Sequence, residues 1–260
     1  MKTVIVGNIK ILYNDAGKSS LDLFVDACAK AGPLIFETWG LKTPANCKIY
    51  IMTSWQSFFF RTLSWPKKLI CVIAFPLVFP IGYIISKRWP KLTGWTAPHC
   101  PTCVVKTPAL VELSGRKTGS KMYIQETNSG NIVQVAICHE LVHAFSIHLN
   151  LPVWLNEGIA MYTADKFAGK TTVKTETLKI IEDYPHKNRS TSYTNLMNGD
   201  DDSIIYNYVR GYWLTRYLEH NYPGFIRSLL VNRPSKRKIE ASSPEFVGKG
   251  WFREFSELMV

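Results

Sequence analysis

Between Asn131 and His148 the chain reads NIVQVAICHELVHAFSIH, and within it Ile132, Val135, Ala136, Cys138, Leu141, Val142 and Phe145 recur mostly at spacings of three and four. That period predicts an α-helix that its neighbours cover on most sides, and Pro152 bars its continuation. Set into this apolar run are His139, Glu140 and His143, the pattern HExxH. Four residues make about one helical turn, so both imidazoles project from one face and can hold one metal ion. Glu140 lies beside them at the offset from which a carboxylate takes a proton from metal-bound water. Burying a carboxylate against two imidazoles without a cation is costly, whereas a zinc ion settles the whole group. The competing reading, core histidines bonded to carbonyls, leaves Glu140 without a reason.

A tetrahedral catalytic zinc needs a third protein ligand and one open position. After a short loop, Leu149 to Val153, the segment WLNEGIAMY (154–162) has the apolar spacing of a second helix. An antiparallel return would let its Glu157 reach the same metal, and Gly158 would let backbones approach closely. The alternative for Glu157 is a first-turn acid favoured by the helix dipole.

HELVHAF followed by LPVWLNEGIAMY resembles the gluzincin branch of zinc metallopeptidases, and within it the small peptidase MA-like domains that read HExxH and WLxEG. The resemblance is strong over roughly residues 120–165, moderate over 203–232 and faint before 56. It implies an α+β fold of zincin type: a small twisted, mainly antiparallel sheet packed on an active-site helix, then a mostly helical lobe, with a cleft that takes a peptide in extended form. It also implies one catalytic Zn2+ held by His139, His143 and Glu157, with Glu140 as general base. In the phrase NYVRGYWLTRYLEHNYPG, Tyr208 is the best match to the family's zinc-facing tyrosine and Tyr206 the second; a phenol there would stabilise the oxyanion of the tetrahedral intermediate. Arg210 is a weaker candidate for binding substrate. One departure is Met161, where such domains carry an acid that orients a ligand histidine; Asp165 and backbone carbonyls are the substitutes. The expected activity is hydrolysis of a peptide or protein substrate. Two rivals stand beside it: an inactive zincin-like scaffold, against which Glu140 argues, and a zinc hydrolase acting on a non-peptide substrate.

The other departure is an insertion. From Glu37 to Glu112 there is no acidic residue between, while nine Lys or Arg fall in that stretch of a 260-residue chain of net charge +11. Inside it, residues 69–86 (LICVIAFPLVFPIGYIIS) carry no charge and are flanked by Lys67, Lys68, Lys87 and Arg88. The length is near the minimum for a membrane span, but Pro76, Pro80 and Gly82 interrupt it and each proline removes a donor that lipid cannot replace. A re-entrant segment, a true span and a segment buried in protein are the three readings. The expected partner is an anionic membrane surface contacted through residues 57–91. Nucleic acid is not expected, because the positive charge keeps company with apolar and aromatic bulk. The opening MKTVIVGNIKILYNDAG does not read as a signal peptide, and six cysteines are too few for a disulfide scaffold. The expectation is a membrane-associated protein on the cytoplasmic side, not secreted. Three regions follow: 1–56, the N-terminal part of the sheet lobe; 57–98, the insertion; and 99–260, the zincin-like catalytic domain.

Lys10–Tyr13, Cys47–Met52 and Lys121–Gln125 are predicted strands. A helix capped by Ser19 or Ser20 is expected to be interrupted near Gly32-Pro33, and RWPKLTGWTAP (88–98) reads as a loop. Ser203–Tyr222 predicts a late helix ended by Pro223-Gly224, with Phe225–Val231 beginning another. His99-Cys100-Pro101-Thr102-Cys103 admits two ordinary thiols, a redox pair, or half of a metal site.

Overall fold

The computed structural model describes residues 1–54, 92–97, 99–114, 121–183, 201–232 and 239. The strands are β1 (Lys2–Val6), β2 (Ile9–Tyr13), β3 (Lys48–Met52), β4 (Gly94–Thr96) and β5 (Thr102–Lys106). The helices are α1 (Leu21–Trp39), α2 (Pro108–Ser114), α3 (Ser129–Ser146), α4 (Val153–Ala168), α5 (Leu178–Asp183), α6 (Asp201–Asn221) and α7 (Phe225–Asn232). The architecture is α+β, with the strands in one sheet of order β1-β2-β3-β5-β4.

The sheet is mixed rather than mainly antiparallel. Its outer pairs, β1–β2 and β5–β4, are antiparallel, and its inner pairs, β2–β3 and β3–β5, are parallel. The β2–β3 pair is parallel because α1 carries the chain back over the sheet between them, the crossover that a parallel pair requires. Alternation then selects one face: Ile11, Ile49 and Cys103 stand in register and are fully buried, as are Ile51 and Val105 one step on. These side chains share a core with α1 and α3. On the opposite face Met52 and Val104 form a smaller buried cluster with Tyr50 and Trp95.

Helix α1 runs through Pro33 without interruption. Its buried stripe, Phe24, Ala27, Cys28, Ala31, Ile35 and Trp39, keeps helical spacing on both sides of the proline, which is itself exposed. Each fully buried Phe or Ile contributes about 1.5–3 kcal/mol, so the stripe outweighs the roughly 3 kcal/mol cost of an interior proline. Gly32 helps by having no Cβ to meet the proline ring.

Residues Lys121–Gln125 do not join the sheet; Tyr123 makes a single antiparallel bridge to Val173. Only two of the three expected strands lie in the sheet, as β2 and β3, and three further strands, β1, β4 and β5, complete it. β1 forms a hairpin with β2 around Gly7, whose φ is 56°, and β4 replaces the expected loop at Gly94–Thr96.

The ends of the insertion lie beside one another. Thr107 N donates to Met52 O (3.3 Å) from one side of β5, and Lys106 N donates to Thr93 O (3.0 Å) on the other. Two strand spacings, about 10 Å, therefore separate the point where the chain leaves the sheet from the point where it returns. Most of the insertion, including the expected membrane contact at 57–91, lies outside the described residues; residues 92–97, with β4, are described.

Candidate metal centre

Asn128 starts α3: its side-chain oxygen accepts from Gly130 N (2.8 Å) and Asn131 N (3.2 Å). The helix then runs between the sheet and α4, with Val133, Ile137, Cys138, Leu141, Val142, Ala144 and Phe145 buried. By length and composition alone Ser129–Leu149 would suit a membrane span, at mean hydropathy 1.4, but half of that window is buried by the rest of the protein. Its apolar character is that of a core helix. His139 and His143 stand one helical turn apart on it, with side-chain exposures of 16% and 11%.

The two rings meet edge to face, centroids 4.7 Å apart, with Nε2 to Nε2 at 3.0 Å. Glu157, on the second turn of α4 and 1% exposed, completes the triangle. Its Oε2 is 3.5 Å from His139 Nε2 and its Oε1 is 3.6 Å from His143 Nε2. Zinc bonds of about 2.0–2.1 Å at tetrahedral angles place neighbouring ligand atoms about 3.3–3.4 Å apart. The observed separations of 3.0, 3.5 and 3.6 Å, the last two made by the two different oxygens of Glu157, lie near that value. Among the described residues these three form the one His, Cys, Asp or Glu group placed to hold a metal ion.

Charge follows the same logic. Burial opposes an imidazolium at His143, but the Glu157 carboxylate outweighs it and lifts the pKa to about 9. Burial also opposes the charge on Glu157, yet the two imidazoles hold its carboxyl well below the usual range. The buried carboxylate thus favours positive charge beside it, supplied here by the proton on His143 that a bound metal ion would displace.

Gly158 has a partner other than the one expected. A Cβ there would lie 2.2 Å from Thr215 Oγ1 and 2.4 Å from Gly211 O, and a Cβ on Gly211 would lie 2.3 Å from Trp154 O. The close approach is between α4 and α6, and it brings Tyr208 to Glu157. The ring of Tyr208 is partly exposed. Burial of its phenol, then the Glu157 carboxylate within hydrogen-bonding reach, push the pKa well above the ordinary value, so it remains a proton donor. Tyr206 is instead a core residue, 2% exposed. Arg210 is partly exposed on the same helix. Tyr123, absent from the sequence candidates, faces the same carboxylates: burial raises its pKa, helped by Glu157, Asp165 and Glu140.

Asp165 does not orient a histidine. Its Oδ1 accepts from Thr172 N (2.8 Å) and Thr172 Oγ1 (2.6 Å), and its other oxygen accepts from Tyr212. Met161 is buried in the core. His143 Nδ1 is buried with no hydrogen bond of good geometry among the described residues. The side chain that bears on His143 from behind is Asn156, which also meets Ser146 Oγ at 3.0 Å.

Glu140, 8% exposed, turns away from the other three toward β4. Its Oε2 accepts from Thr96 Oγ1 at 2.6 Å. A Cβ on Gly94 would sit 2.7 Å from Glu140 Cγ and 2.9 Å from its Oε1, so this side chain fits only because Gly94 has none. Sequence reasoning missed both residues because three residues between a proline-rich stretch and a turn carry no usable period. Cys100 and Cys103 are free thiols of different kinds: Cys100 is exposed, and Cys103 is buried beneath Glu140.

Neither a family model, nor a curated protein, nor a solved structure matches this chain.

Proposed function

We propose that the chain is a zinc-dependent metallopeptidase of gluzincin type, with His139, His143 and Glu157 as metal ligands, Glu140 as general base and Tyr208 as a proton donor to the developing oxyanion. The observation that carries this reading is the convergence of His139 Nε2, His143 Nε2 and the buried Glu157 carboxylate at separations near those found around one tetrahedral ion. When bound, zinc supplies Lewis-acid polarisation and makes a water acidic enough to react near neutral pH. Glu140 receives the proton of that water and delivers it to the departing amine. Tyr208, kept protonated by its surroundings, donates to the oxygen that gains charge. β4 is the end strand of the sheet and touches Glu140, so an extended peptide laid along its outer edge would pass the base; this favours a peptide over a non-peptide substrate.

The test is elemental analysis of protein purified without added metal, together with hydrolysis of an unfolded protein or peptide library. One zinc per chain is expected in the wild type and in Glu140→Gln, and none in His139→Ala or Glu157→Ala. Hydrolysis should vanish in Glu140→Gln. Equal zinc in all four proteins would sink the ligand assignment. Zinc without hydrolysis in the wild type would favour the scaffold.

We further propose that residues 57–91 hold the protein on the cytoplasmic face of an anionic membrane without carrying it across. A single crossing sets the two ends of a segment about 30 Å apart, whereas the sheet holds these ends about 10 Å apart. Flotation with anionic vesicles should therefore be weakened by salt and abolished by detergent. Single-cysteine tags at the N-terminus and at residue 260 should label from the same side of sealed vesicles. Opposite-side labelling, or no flotation with any lipid, would overturn this part.

A further inference from the structure

The hairpin of β4 and β5 contributes more than an edge. Thr96 Oγ1 has one proton and three acceptors within reach: Glu140 Oε2 at 2.6 Å, the Glu140 main-chain oxygen at 3.1 Å and Cys103 Sγ at 3.5 Å. If the main-chain oxygen took that proton, the carboxylate would be left without its only described side-chain donor. Cys103 Sγ lies 3.3 Å from the same main-chain oxygen. Burial raises the pKa of this thiol well above normal, so it keeps its proton. An S–H donated to the Glu140 carbonyl occupies the lone pair left over from the helix and removes the competitor for the threonine proton. Gly94 supplies the space into which the carboxylate then settles.

We infer that Thr96 and Cys103 are positioning residues for Glu140, the thiol holding its main-chain carbonyl so that the Thr96 hydroxyl is committed to its carboxylate. The arrangement gives Cys103 a task that neither a redox pair nor a structural metal site requires. It also fixes which oxygen is left to act: Oε2 is the anchored atom and Oε1 is the one that takes a proton. This inference rests on the hydrolase reading for its meaning, but the geometry it claims exists with or without zinc.

The experiment is a set of crystal structures and kinetics for wild type, Thr96→Ser, Thr96→Val, Cys103→Ser and Cys103→Ala, each with its zinc content and melting temperature measured. Thr96→Ser and Cys103→Ser preserve a donor and should show one Glu140 rotamer, anchored through Oε2. Thr96→Val is close in shape but has no donor, so its carboxylate should leave the seat or spread over several rotamers. Cys103→Ala should show Thr96 turned to the main-chain carbonyl. Zinc content should be the same in all five proteins. With a peptide substrate, Thr96→Val should lose about tenfold or more in kcat at nearly constant KM, the value of one hydrogen bond to a charged group, and Thr96→Ser should recover most of it. Absence of zinc from every protein would defeat the metallopeptidase reading, while the rotamer comparison would still decide this one. A single, unmoved Glu140 rotamer in both Thr96→Val and Cys103→Ala would overturn it, even if one of the variants lost stability.

Discussion

Replacing Gly211 by alanine should pry α4 from α6. The added Cβ would stand 2.3 Å from Trp154 O, 3.1 Å from Trp154 C and 3.2 Å from Trp154 Cα, all of them backbone atoms of a helix that cannot turn aside as a side chain would. A carbon–oxygen contact needs roughly 1 Å more than this, so the helices must separate by about that much. Overpacking of one methyl group costs about 1–3 kcal/mol, and a rigid wall puts this site at the upper end. Alanine returns at most about 1 kcal/mol through helix propensity. The net loss is about 2 kcal/mol, which in a chain of this size lowers the melting temperature by about 4–8 °C. The shift also draws Tyr208 away from Glu157, because Gly211 lies one turn beyond Tyr208 and Gly158 directly follows Glu157. Chemical denaturation followed by circular dichroism reads the stability, and activity on a peptide library reads the site. A Gly211→Ala protein as stable as the wild type, with undiminished activity, would show that the crossing is not set by backbone contact.

Gly94→Ala should leave zinc content unchanged and stability within about 1 kcal/mol, since the obstructed group is a side chain, yet lower hydrolysis at least tenfold by displacing Glu140; full activity would remove Gly94 from the site. Zinc at a free concentration of about 100 times its dissociation constant should stabilise the native protein by about 2.7 kcal/mol, raising the melting temperature of wild type and Glu140→Gln but not of Glu157→Ala; an equal rise in Glu157→Ala would place the metal elsewhere. Iodoacetamide at pH 8 should label Cys100 in the native protein while sparing Cys28 and Cys47, whose burial lifts their thiols to about 12, and the equally buried Cys103 and Cys138. Mass spectrometry of the digest checks this, and rapid native labelling at Cys103 would contradict its place under Glu140.

The convergence of His139, His143 and Glu157 was legible because helical geometry converts a spacing of four into a shared face, and a turn followed by a second apolar helix supplies the carboxylate. Long helices were legible for the same reason, from Asn131 to His148 and from Ser203 to Tyr222. The sheet was harder. KMYIQ has strand composition, but Tyr123 finds only Val173 as a partner, and pairing depends on what lies alongside. Conversely, Gly94–Thr96 has too few residues to declare itself and becomes a strand because Val104 and Val105 stand opposite. The role of Gly158 was half legible: that a backbone comes close could be read from the residue type, but whether it belongs to the first helix or the late one is decided by three-dimensional packing. The expected aid from Asp165 failed because Thr172, just past the end of its own helix, and Tyr212 on α6 claim its oxygens first.

The adjacency of Met52 and Thr93 across β5 has an engineering consequence. A gap of about 10 Å is covered by three or four extended residues, so residues 55–91 can be excised as a cassette and the cut closed with a short glycine-serine link over the end of β5. The five strands, the paired helices and the ligand triangle lose no described residue in the operation. A foreign segment spliced between the same two cut points would make this end of the sheet a socket, tethering the His139, His143 and Glu157 cluster to a surface of the experimenter's choosing.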